Sequence, residues 1–493
     1  MKFFSILLGI ICLIPSTGMA QGTVQRGSEF QINLIGGPTN PWGEKARDAD
    51  HATVAMNDSG DVVVAYHTSR DDFAPKLKQV EIAYFEFTAG ATPAQDTWTL
   101  IDQVLLGSVG HSPLSGQYLQ LDVKCERPDV VAVGDKFFVV WTRRYDRDFN
   151  PGIQSPPPQW KEPAVLEGAW LERSGSTVSV FGASAGLGYP LDAQYFIREC
   201  AGVPDAVALK QPSGGNPTVG IVYPRQVDFS HDPGPPVSED DTRIFEMAIV
   251  TCSINGSNQV TSQAPMVLPA QVPYDGDSGG AAGLVLPDLA PSSEENAFWV
   301  AFEGQQVVGS DVLGAIRLEY WILNGSMVPE FSKSFKTTTA VGSAFRRRPM
   351  ISSLPGDTPN EIVSIAFLKV APSPASDKDV VYEQWQYENG SFFRAPIPLG
   401  HAFQNSSSDE GKAVPLHGPT ASYLRRCYFS RSGILYYDMN SNLETTVSSS
   451  ITASRPAVSF NQPNGTESVA LVWEDLLYPA GVNAYKRIVL RVD

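Results

Sequence analysis

Basic residues are scarce in this chain. Its 493 residues include 36 Lys and Arg against 53 Asp and Glu, a formal net charge of −17, and a protein this acidic offers no broad cationic face to nucleic acid. Cysteine is scarcer still. Of the five, Cys12 lies in a leading apolar run, and Cys125, Cys200, Cys252 and Cys427 have no CxxC spacing, which excludes a disulfide-built scaffold and a zinc site of that kind. Beyond the N-terminus no stretch is apolar enough to span a bilayer. Charged residues make up 18% and hydrophobic ones 42%, too much core-forming material for a disordered chain. The 42 Gly and 38 Pro fall below collagen or low-complexity levels and fit a turn-rich β protein.

The first twenty residues read as an export signal. Lys2 precedes an apolar run from Phe3 to Pro15, and the small residues up to Ala20 mark a cleavage site before Gln21. The run is shorter than the roughly 18–20 residues of a membrane span. The expected mature protein is therefore secreted or periplasmic, with no membrane span. It forms one domain over residues 21–493 and is a monomer.

One repeat accounts for that domain. Ala52–Met56, a tight turn around Gly60, and Val62–His67 form an apolar hairpin ending in an aromatic and a polar residue. The unit recurs at Pro128–Thr142, Pro204–Tyr223, Gly283–Phe302, Pro349–Phe367 and Pro456–Trp473, with a degenerate copy at Lys412–Phe429. A second hairpin follows each copy, turning at Asn255-Gly256, Asn324-Gly325 or Asn389-Gly390 in three of them; such pairs tolerate positive φ. Four antiparallel strands repeated seven times predict an all-β, seven-bladed β-propeller of four-stranded antiparallel blades. Blades start near 50, 126, 202, 279, 348, 411 and 455. The last copy is one strand short, and residues 29–35 alternate as a strand should, so the N-terminal strand is expected to close the last blade and remove an exposed edge.

Labelling the strands of a blade A to D outward, the B–C connections and the D-to-A crossings lie on one face. The longest B–C segments, Arg143 to Glu162 and Pro224 to Thr242, mark that face as the working one. Its channel mouth gathers His51, Arg127, Arg348 and Arg455 before strand A, with Arg346 and Arg347 behind. After strand B come His67, Arg143, Arg144, Arg225 and Lys369. Asp50, Glu126, Glu199, Asp275, Asp277, Glu303 and Glu474 intrude. Arginines converging in an acidic protein point to capture of an anionic ligand, because guanidinium pairs bidentately with carboxylate or sulfate; bridging between blades is the structural alternative. His51 and His67, at the two ends of one hairpin, can abstract a proton α to a carboxylate while arginine neutralises the enolate. Glu303 and Glu474 as a glycosidase pair is a further option.

Other motifs carry less. Gly276-Asp277-Ser278-Gly279-Gly280 copies the serine segment of chymotrypsin-like proteases, but the Ala-Ala-His-Cys that accompanies it is absent, so serine-protease chemistry is not expected. Ser238-Glu239-Asp240-Asp241 offers a structural Ca²⁺ site without EF-hand spacing. Asn-x-Ser/Thr occurs at Asn57, Asn255, Asn324, Asn389, Asn405 and Asn464, mostly as turns. Cys125 and Cys200 precede strand A in neighbouring blades and are expected to form a disulfide, two buried thiols being the alternative; Cys252 and Cys427, in blades 3 and 6, are too far apart to pair.

The units running from Arg455-Pro456-Ala457-Val458 to Val472-Trp473 resemble the sialidase-like seven-bladed propellers of exported proteins. No Ser-x-Asp-x-Gly-x-x-Trp box accompanies them, so the resemblance implies the fold and not sialidase activity. A fainter similarity is to propeller-fold ulvan lyases, which eliminate across a uronate with histidine, tyrosine and a neutralising arginine. It implies catalytic roles for His51, His67 and Tyr145 or Tyr223, with Arg143 or Arg225 as the neutralising arginine; Arg127, Arg348 and Arg455, gathered at the mouth, are the further expected substrate-binding residues. Two functions follow as expectations: a propeller that binds or cleaves an acidic polysaccharide, or a non-catalytic scaffold for a cell-surface protein partner.

Overall fold

The computed structural model describes residues 22–32, 48–70, 77–107, 122–146, 164–182, 189–192, 204–228, 244–268, 287–308, 311–336, 345–354, 361–370, 378–388, 391–394, 402–403, 412–417, 425–441, 443–477 and 485–493. The expected export signal, Cys200, the Gly276–Gly280 motif and the Ser238–Asp241 cluster lie outside them. Among the described residues no α-helix occurs, and no helix is long and apolar enough to cross a membrane.

Seven antiparallel blades stand in a ring. Their inner strands, strand A, are Asp48–Met56, Asp122–Val133, Asp205–Leu209, Asp288–Pro291, Phe345–Leu354, Ala413–His417 and Ser454–Asn461. Each pairs with a strand B, and B pairs with C. Strand B explains the apolar runs. In blade 1, Val62-Val63-Val64-Ala65-Tyr66 is buried along its whole length, because a blade is covered on both faces by its neighbours and so has no polar face to alternate with. Seven hydrophobic clusters result, one at each interface between blades. The one between blades 7 and 1 joins Val472, Ile488 and Leu490 to Val62, Val64 and Tyr66. The ring is thus continuous through its cores.

The N-terminal segment bridges the seam between those two blades. Thr23–Gln25 pairs with strand D of blade 1 (Thr97–Gly107), and Glu29–Gln31 pairs with strand C of blade 7 (Tyr485–Val492), as Glu29↔Arg491 and Gln31↔Val489. Between them Arg26 donates to Asp96 Oδ2 at 2.8 Å, to Ser468 Oγ at 2.8 Å and to the Glu467 carbonyl at 3.1 Å, touching both blades at once.

The C–D hairpins at Asn255-Gly256 and Asn324-Gly325 form where predicted, for a different reason, while Asn389-Gly390 lies outside the described residues. Gly256 and Gly325 do not adopt positive φ; Asn258 (φ 60°) and Met327 (φ 58°) do. The asparagine acts through its side chain, Asn255 Oδ1 accepting the N–H groups of Ser257 and Gln259 at 2.9 Å, and Asn324 Oδ1 those of Ser326 and Val328. These are Asx-type loops of five residues, not two-residue turns. Gly60 is required by both backbone and space: its φ is 87°, and a Cβ there would meet Pro463 at 2.7 Å.

Candidate active site in the propeller channel

Strand A carries a bulge at the same height in four blades. Pairing with strand B slips between Asp50 and Thr53, Glu126 and Asp129, Arg347 and Met350, and Ser454 and Ala457. In three of them the bulged residue takes positive φ: His51 (53°), Arg127 (54°) and Arg455 (52°). A left-handed backbone at a non-glycine residue is unfavourable, and bulges re-aim side chains. Here they turn one imidazole and two arginines to the mouth of a central cavity of about 840 Å³, which all three line together with Glu474 and Lys412.

His51 sits at the centre of the mouth. Its backbone N–H donates to Asp50 Oδ1 and Glu474 Oε1, both at 2.8 Å. Its Nδ1 lies 3.2 Å from Asp50 Oδ1. The His67 ring stacks on it at 4.9 Å between centroids, and the Arg127 backbone N–H donates to His67 Nδ1 at 3.4 Å. Arg455 Nη1 lies 3.4 Å from both His51 nitrogens and donates to Asp50 Oδ1 at 2.8 Å. Lys486 reaches Asp50 Oδ2 at 2.6 Å.

The electrostatics follow from burial and these neighbours. Burial lowers the His51 pKa and outweighs the Asp50 carboxylate that raises it; Arg455 and Arg127 lower it further. The imidazole is therefore neutral at pH 7. Burial opposes ionisation of Asp50, but hydrogen bonds from His51, Glu474 and Lys486 hold it well below the usual carboxylate range. Glu474 is pushed up to about 7 by burial and by its hydrogen bond to the Asp50 charge, so the pair shares one proton. The ligand atoms of Asp50, His51 and His67 converge within 4.8 Å. A divalent cation fits poorly there, because Asp50 already holds Arg455 and Lys486.

Deeper in the cavity, blades 2, 3 and 4 each contribute an aspartate from the same register of strand A, and sequence reading overlooked all three. Asp129 accepts the Ala206 N–H at 2.9 Å, Asp205 that of Leu289 at 2.5 Å and Asp288 that of Ile351 at 2.5 Å, so each fastens its blade to the next. Burial pushes Asp129 up to about 6 and Asp288 to about 7; burial and then the charges of Asp129 and Asp288 raise Asp205 well above the carboxylate range. The signal was the recurrent Pro-Asp of Pro128-Asp129, Pro204-Asp205 and Pro287-Asp288.

Of the expected site residues, His51, His67, Arg127 and Arg455 come together. Arg143 does not join them as an open cation: it is 1% exposed and pairs with Glu167 at 2.9 Å within blade 2. Tyr223 is fully buried in the core between blades 2 and 3, because the aromatic ending strand B plugs the interface. Arg225, Arg348 and Tyr145 belong to strands Thr218–Asp228, Phe345–Leu354 and Lys136–Asp146; their side chains are outside the described set, as is that of Glu303. The carboxyl partner of Glu474 is Asp50. Cys125 is buried, and with Cys200 outside the described residues the expected disulfide has one half in view.

No protein-family profile and no curated protein sequence matches the chain. Solved structures do. Trypanosoma rangeli sialidase in complex with the inhibitor DANA is 9% identical with a TM-score of 0.41, the match covering 95% of this chain and 60% of that one. A glycoside hydrolase is 9% identical (TM-score 0.30), with 95% and 92% covered. A glycosyl hydrolase from Bacteroides ovatus is 9% identical (TM-score 0.29), with 76% and 96% covered. The chain thus spans about 60% of the length of the sialidase. The likeness is one of fold. The assignment as a seven-bladed propeller rests on the sheets and interface cores of the chain itself.

Proposed function

We propose that this protein binds an acidic polysaccharide at the channel mouth and cleaves it by β-elimination at a uronate. The observation that carries the reading is His51, a neutral imidazole open to the cavity, fixed between the Asp50 carboxylate and the Arg455 guanidinium. In the reaction a His51 nitrogen takes the proton from the carbon α to the uronate carboxylate. Arg455 and Arg127 neutralise the enolate that develops. The C4–oxygen bond breaks as the double bond forms, and the departing oxygen takes a proton. With Tyr223 enclosed in the core, Glu474 is the described group suited to supply it: a carboxyl protonated near neutrality that lines the same cavity. The fold of the structural matches is compatible with this reading but carries no chemistry to it.

Incubation with a panel of uronate-containing and sulfated polysaccharides, followed by ultraviolet absorbance for unsaturated products, tests it. Turnover of at least one polymer is expected, and its loss in His51→Ala. Binding without products in any polymer would reduce the protein to a lectin-like propeller. Failure to bind any of them would leave the scaffold function.

A further inference from the structure

We infer that Lys486 is a positioning residue of the channel-mouth site: its ammonium keeps the negative charge of the carboxyl pair on Asp50 and so leaves the shared proton on Glu474. The inference rests on the reading of Glu474 as the proton donor, and it adds the residue that keeps that donor protonated.

Strand alternation delivers Lys486 to the seam. On strand C of blade 7, Ile488 and Leu490 enter the core shared with blade 1, so Lys486, two residues earlier, points to the same side. Arg487 points to the other, where it pairs with Asp475 at 2.7 Å. Glu474 stands opposite Ile488 in the ladder, one diagonal place from Lys486. Two cations then face two carboxyls, and their distances are unequal in the same sense. Lys486 Nζ lies 2.6 Å from Asp50 Oδ2 and 3.8 Å from Glu474 Oε2. Arg455 Nη1 lies 2.8 Å from Asp50 Oδ1 and 3.4 Å from Glu474 Oε1. Both cations favour a charge on Asp50 over one on Glu474. Water does too, since the Asp50 side chain is 22% exposed and that of Glu474 only 4%. The His51 N–H does not discriminate, donating to both at 2.8 Å. Beyond it stand His67, stacked on the His51 ring, and Arg127, whose N–H meets His67. Lys486 has the larger difference between its two distances. It also takes the Asp50 oxygen that Arg455 and the His51 N–H leave to it. Without Lys486 the proton has two carboxyls of more nearly equal affinity to occupy.

Lys486→Met, Lys486→Gln and Lys486→Arg test it, each checked by thermal melting. The first readout needs no substrate: a carboxyl-carbon NMR titration of protein labelled at Asp and Glu, assigned with Asp50→Asn and Glu474→Gln. In wild type Glu474 is expected to titrate near pH 7 while Asp50 stays ionised. In Lys486→Met and Lys486→Gln, Asp50 is expected to take a share of that step, and the step to move up by about one pH unit, because losing a cation makes the second ionisation of the pair harder. Lys486→Arg should keep the wild-type pattern. The second readout is the pH–rate profile on a uronate polymer that wild type cleaves. Its alkaline limb, where Glu474 gives up the proton, is expected to move up by the same amount in the Met and Gln variants, with kcat reduced and KM little changed. Titrations of Asp50 and Glu474 that stay as in wild type in both variants overturn the inference even where the polymer is cleaved, and leave Lys486 a strut between blades. If wild type cleaves no polymer, the lyase reading falls, and the NMR titration still decides which carboxyl Lys486 keeps charged.

Discussion

At the scale of single residues, the mouth is built on unfavourable backbone. His51, Arg127 and Arg455 hold φ near +50°, where an L-residue with a Cβ costs about 1–2 kcal/mol, and only the side chain justifies it. His51→Gly is therefore expected to be more stable to unfolding than His51→Ala by about 1–2 kcal/mol, as measured by urea denaturation; equal stabilities would show that the bulge relaxes. His51 also sets a pH limb. Its folded pKa lies below 6.5, so the base stays neutral as pH falls through 6.5, and kcat/KM should begin to drop only at lower pH. A pH–rate profile on a substrate found in the polysaccharide screen checks this. Histidine and arginine at this place were legible in the sequence because the repeat aligned them. The partners of His51 were less so. Asp50 showed only as a charge nearby and Glu474 as a candidate partner of Glu303, and no spacing rule links residues separated by almost the whole chain that meet across the first and last blades.

At the scale of strands, the aspartates of blades 2, 3 and 4 are fasteners whose protonation matters. Their folded pKa values stand above the ordinary 3.8, so the folded state binds protons that the unfolded state has released. The stabilisation is complete below the unfolded value and lost as pH rises through the folded one, about 6 for Asp129 and about 7 for Asp288. Thermal stability is expected to decline between pH 5 and 8, and Asp288→Asn, which keeps an acceptor for the Ile351 N–H, should flatten that decline. Asp288→Ala removes the acceptor and is expected to lose about 1–3 kcal/mol at every pH, measured by chemical denaturation. If Asn and Ala behave alike, the carboxyl is not a fastener. Blade count and strand order could be read from the apolar strand B and its terminal aromatic. The mode of turning could not: Asn255 and Asn324 use their side chains as acceptors where positive φ was expected, and only geometry separates the two.

At the scale of the whole molecule, stability is shared among seven interface cores that each bury large aromatics. Trp473, fully buried between blades 6 and 7, is expected to cost about 3–5 kcal/mol on change to Ala. That loss should appear as a lower melting temperature in a single cooperative transition, because no blade has a covered face without its neighbours. Two separate transitions would mean that the ring comes apart in sections.

The seam at Arg26 has a consequence for the order of events during synthesis. Residues 29–31 are made long before their partners at 489–491. Throughout elongation this stretch has no sheet to join, and the growing arc of blades has an open edge at each end. Closure of the ring is thus deferred until the last blade has been made, and the most distant pairing of the fold is among the last to form.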